Sequence, residues 1–98
     1  MNINLELQPL KKFKFGKILN KLFTFEVRWY DPTNINQPYT VKEKEVNRLK
    51  KAIKNGDRLE PIVMLFEFGP VAGIHLLEAF KLLKFDKVPV LYGKLTKN

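Results

Sequence analysis

Five consecutive apolar residues, Ile62-Val63-Met64-Leu65-Phe66, constrain this chain more than any other feature. A strand with one face in water alternates apolar and polar residues, whereas an unbroken apolar run of strand length is a strand buried on both faces. The patterns on either side of it are helical. Val46, Leu49, Ala52 and Ile53 recur at helical spacing among Lys and Glu before it, and Leu76, Ala79, Phe80 and Leu83 do so after it. Helix, buried strand and helix in that order predict an α/β (α+β) domain: a small mixed sheet flanked by helices, with Ile62–Phe68 central.

The other elements follow from shorter signals. Ile3, Leu5 and Leu7 alternate with Asn4, Glu6 and Gln8, the period of a half-buried strand, which Pro9 ends. Lys11 to Phe23 mixes Lys with Phe13, Phe15, Ile18, Leu19 and Leu22 around Gly16, and suits either a hairpin or a short amphipathic helix. From Thr24, Phe25, Val27 and Trp29 alternate with Glu26, Arg28 and Tyr30, predicting a strand that stops at Asp31-Pro32. Trp29 is expected in the core; the functional alternative for Trp29 and Tyr30 is stacking on a base. Thr40 and Glu43 have the spacing of a capping box, and Asn55-Gly56 that of a helix stop. Val88 to Tyr92 reads as a last strand, with Pro89 favouring an edge because proline has no N–H to donate. Without repeat or linker, residues 1–98 are expected to form one domain.

Composition narrows the chemistry. Hydrophobic residues make up 45% of the chain, enough to offset chain entropy in a packed core. No apolar run reaches the roughly 20 residues of a spanning helix, and MNINLELQPL lacks the basic start and apolar core of a signal peptide, so the expectation is a cytoplasmic protein with no membrane partner. The absence of cysteine excludes disulfides, thiolate metal sites and thiol catalysis. Carboxylates, hydroxyls, backbone amides and the single His75 are left. A net charge of +8 favours polyanions, since each Lys or Arg set against a phosphate releases condensed counterions; the alternative is a merely soluble, Lys-rich surface. The basic residues fall at Lys11 to Lys21, Lys42 to Arg58 and Lys81 to Lys97, with Lys11, Lys12, Lys14, Lys50, Lys54 and Arg58 as nucleic-acid contact candidates.

One ordered set of motifs carries a family resemblance. Glu60-Pro61-Ile62-Val63 leads the buried strand, Gly73-Ile74-His75-Leu76-Leu77-Glu78-Ala79 opens the following helix, and Phe85-Asp86-Lys87-Val88-Pro89-Val90 comes one helix later. With Trp29-Tyr30-Asp31-Pro32-Thr33 leading into Thr40-Val41, this resembles the ParB/sulfiredoxin-like family over about Val27 to Leu95. Family members show a Pro-Ile-Val strand, a turn reading Asp-Gly-x-His-Arg-x-x-Ala and a Val-Pro-Val strand. Gly73, His75 and Ala79 stand in the matching places, while Ala72 replaces the Asp and Leu76 the Arg.

The resemblance implies a ParB/sulfiredoxin-like fold with a phosphate-binding turn made of Gly73, Ile74, His75, Leu76 and Leu77. Glycine there lets the backbone approach, and amides at a helix start face an anion. Loss of the Arg removes a bidentate clamp and loss of the Asp removes a base or metal ligand, so no catalytic residue is assigned. Sulfiredoxin activity is excluded because its motif cysteine has no counterpart. Glu60 and Glu78 are weighed as acid–base groups against ordinary local roles, and Leu76 is expected in the core. The expected function is a non-enzymatic nucleic-acid or nucleotide-phosphate binding module, with a nucleotide and Mg²⁺ as the cofactor pair considered and a homo-oligomer among the partners. The alternatives are a metal-dependent nuclease or phosphotransferase of the same fold, and an interaction domain with a vestigial pocket.

Overall fold

A computed structural model describes residues 22–37 and 39–96. The strand expected at 3–7 and most of the ambiguous segment from Lys11 to Phe23 lie outside the described residues, as do the contact candidates Lys11, Lys12 and Lys14. The described chain is a small α+β domain. Strand β1 (Phe23–Tyr30) and a 3-10 turn (Pro32–Asn34) precede helix α1 (Glu43–Asn55). A hairpin of β2 (Ile62–Leu65) and β3 (Gly69–Ala72) leads into α2 (Ile74–Leu82), and β4 (Val88–Leu95) closes the order. The mixed sheet runs β1-β4-β2-β3, with β4 antiparallel to β1 and parallel to β2, and β3 antiparallel to β2.

The register assigns each strand residue to a face. Tyr30, Val88, Val90, Ile62 and Met64 share one face and join the core built with Val46, Ala52 and Ile53 of α1 and Leu76, Leu77, Ala79 and Phe80 of α2. Burying a side chain as large as the fully enclosed Phe80 contributes about 1.5–3 kcal/mol. The opposite face carries Phe23, Val63 and Leu91, all buried, and Val27, Trp29 and Leu95, all exposed. Successive burial of Ile62 and Val63 is what the unbroken apolar run predicts, and β2 is indeed an inner strand.

Several expectations are corrected. The central strand stops at Leu65, short of the expected Phe68, and Phe66-Glu67-Phe68 turns the chain into β3, a strand the sequence pattern does not predict. Pro89 sits on an inner strand: the ladder to β2 begins at Val90, so Pro89 is flanked by β1 alone and its missing N–H interrupts no β2 pairing. The edge proline is Pro70, on β3. Trp29 is 61% exposed, and Tyr30 takes the place facing the helices. The alternation was right, but apolar groups occur on both faces here, so the pattern did not choose between them. Thr40 is not a cap, because α1 begins at Glu43 after an extended Lys42 that makes no side-chain cap bond. Glu43 and Glu45 in the first turn instead complement the helix dipole.

Both helices end the same way. Gly56, at φ 73°, closes α1 through its N–H to Ile53 O at 3.1 Å and that of Asp57 to Ala52 O at 3.0 Å. In α2 the left-handed residue is Lys84, at φ 60°, with its N–H on Lys81 O and that of Phe85 on Phe80 O. Phe85 then lays its ring 5.0 Å from that of Phe80, the apolar contact typical of this stop. Lys81 donates from Nζ to Ile35 O at 3.1 Å and so fastens the segment before α1 to α2.

A candidate anion site at the start of α2

Gly73 fixes where α2 begins. Its φ of 76° is left-handed, and a Cβ there would lie 2.7 Å from Ile62 Cα and 2.9 Å from Pro61 O. Only glycine lets the turn press this closely against the start of β2. The Leu77 N–H is spent on Gly73 O at 2.9 Å, so Leu77 leaves the expected anion set; its side chain is wholly buried. Leu76 is 2% exposed and belongs to the core, as expected of it. The first-turn amides of Ile74, His75 and Leu76 receive no side-chain cap from Gly73.

Ile74, His75 and Leu76 border a cleft of about 480 Å³, within the usual range of ligand pockets. Arg48 of α1, Arg58 and Glu60 of the following loop, and His75 line it with Gly73. Arg48 and Arg58 therefore stand beside a turn whose own Arg position is held by Leu76. Arg48 is braced by Glu45, with its Nε 3.1 Å from both carboxylate oxygens and its terminal nitrogen also bonded to Oε1. That bonding, helped by the charges of Arg48, His75 and Lys42, holds the Glu45 carboxyl below its usual range. The His75 Nε2 is buried and has no hydrogen-bond partner.

Of the contact candidates, the structure brings Arg58 to the cleft and separates Lys50 and Lys54 from it. Both are on α1, but Lys50 follows Arg48 by two residues, which at about 100° per residue puts it on the far flank of the helix. Glu60 lines the cleft, whereas Glu78 does not. Arg48 and Glu45 escaped the sequence reading because they reach the site only through packing of α1 against α2. A signal was present in the arginines themselves: Arg28, Arg48 and Arg58 are the only three in a chain otherwise using Lys, and arginine's planar fork is the better anion clamp. Among the described residues no three His, Asp or Glu side chains group as metal ligands, and no helix is long and apolar enough to cross a membrane. No protein-family model, curated protein or solved structure matches the chain.

Proposed function

We propose that the chain is a binding module of ParB/sulfiredoxin-like type that holds a nucleotide or nucleic-acid phosphate at the start of α2 without turning it over. The observation that carries this reading is the pair Arg48 and Arg58 beside the Gly73 turn and His75. Amides at a helix start favour negative charge, and charge-assisted bonds from guanidinium are stronger than neutral ones. Glu45 and Glu60 line the same cleft and balance the two arginines, which keeps affinity for a bare phosphate low. A nucleotide suits the mixture better, since its phosphate serves the guanidinium groups and its base amino group can donate to a carboxylate.

His75 is the only histidine, so its ring protons give an isolated NMR signal. Titration with ATP or CTP, with and without Mg²⁺, is expected to shift that signal together with the Ile74 amide. Arg48→Gln and Arg58→Gln should each weaken the response by about tenfold, the scale of one charged hydrogen bond. Shifts that are absent, or equal in wild type and both variants, refute the assignment. Release of phosphate or cleavage of plasmid that His75→Ala abolishes would show an enzyme instead.

A further inference from the structure

At the other end of β2, the helix-bearing face of the sheet runs on past the helices. There Arg28 of β1, Tyr92, Lys94 and Leu95 of β4, Phe66 and Thr96 line a groove of about 580 Å³. Register puts Arg28, Tyr92 and Lys94 on the same face, as the Arg28 guanidinium 3.9 Å from the Tyr92 ring centre confirms. Glu26 holds the two cations in place, accepting from Arg28 at 3.2 Å and from Lys94 at 2.7 Å. The hairpin contributes Phe66, 43% exposed, to the groove, and Phe68, 70% exposed, follows outside its lining across a turn whose Glu67 takes a left-handed φ of 68°. A chain that buries Phe80 completely leaves these two rings in water.

We infer that this groove is a second binding surface, and that its occupant is a single-stranded nucleic acid. It is separate from the cleft at α2 and does not rest on the phosphate reading given to that cleft. An open sheet face with exposed aromatics beside basic side chains suits unstacked bases, because every base has a face to stack. Arg28, 3.9 Å above the Tyr92 ring centre, is a planar cation on which a base can stack, and Lys94 supplies charge for the adjoining phosphate. The charge of +8 complements a polyanion. A duplex hides its base faces and gains nothing from Phe66. An anionic membrane would use the two Phe rings but not a guanidinium fixed against a tyrosine.

The test is fluorescence anisotropy of an end-labelled ten-nucleotide single strand with the full chain. The same sequence as a duplex and vesicles containing phosphatidylserine serve as competitors. The expected result is binding that the unlabelled single strand displaces far better than duplex or vesicles do. Phe66→Ala, at an exposed position, should lower affinity about tenfold to hundredfold, the range found for loss of one stacked base. Lys94→Gln should reduce the slope of log affinity against log salt by about 0.7, the value for one phosphate contact on a single strand. Phe66→Ala and Lys94→Gln, both outside the α2 cleft, should leave the His75 NMR response to ATP within about twofold, so failure at one site is distinguishable from failure at the other. Absence of binding overturns the inference, as does affinity unmoved by Phe66→Ala and Lys94→Gln. Preferential displacement by duplex or by vesicles overturns it in favour of those partners.

Discussion

Replacing Gly73 by alanine tests the close approach on which the α2 cleft depends. Two costs add. The left-handed backbone costs a residue with a Cβ roughly 1–2 kcal/mol. The new methyl would also lie 2.7 Å from Ile62 Cα and 2.9 Å from Pro61 O, both backbone atoms that cannot rotate aside. Overpacking of that kind costs typically about 1–3 kcal/mol, so the expected total is roughly 2–5 kcal/mol. Gly56 supplies the internal control, because its φ of 73° is nearly the same while a Cβ there meets nothing within 4 Å. Gly56→Ala should therefore lose only the first part. Urea unfolding followed by far-ultraviolet circular dichroism reads both variants against wild type, with the slope of each transition checked for constancy. The difference between them isolates the contact with β2. If the two losses agree within about 0.5 kcal/mol, Gly73 is an ordinary turn glycine and the packing of α2 against β2 does not need it.

Lys84→Gly should stabilise the protein by about 0.5–1 kcal/mol, since relief of the left-handed strain at the end of α2 exceeds the entropy cost of glycine; thermal or urea unfolding reads the gain. At Asp31, hydrogen bonds from the Thr33 hydroxyl at 2.7 Å and the Thr33 N–H at 3.0 Å, with some help from Lys87, hold the carboxyl below its ordinary value. Its folded pKa being depressed, the associated stability is present above the unfolded value of about 3.9 and is lost as pH falls through the folded one. Asp31→Asn should flatten the acid limb of a stability–pH curve and leave the neutral limb parallel to wild type.

Legibility from sequence followed how local each cause was. The burial of Ile62 and Val63, the stop at Gly56 and the apolar stripes of both helices depend on neighbours within a few residues, and all three were readable. The pairing of β4 between β1 and β2 depends on contacts across the whole chain, and Pro89, judged by local preference, pointed to the wrong place. A proline is tolerated inside a sheet wherever one neighbouring ladder has not yet begun, which no local pattern reveals. The hairpin strand β3 was hidden because Gly69-Pro70 reads as punctuation, although an edge strand accommodates both residues. The site was legible in its turn and illegible in its arginines. Gly73 and His75 lie within one motif, whereas Arg48 joins them only when α1 packs on α2.

The pairing of β1 with β4 also decides how the domain responds to force. Phe23 lies opposite Leu95, the Thr96 N–H donates to Leu22 O at 2.9 Å, and the Thr24 and Thr96 hydroxyls are 3.2 Å apart. Residues 22 and 96 thus sit side by side at one end of an antiparallel ladder. Tension between them pulls across the strands and opens the pairs one after another, instead of shearing all of them together. A ladder loaded in this way yields pair by pair from its open end, and among the described elements β1, at the sheet edge, is the first to leave.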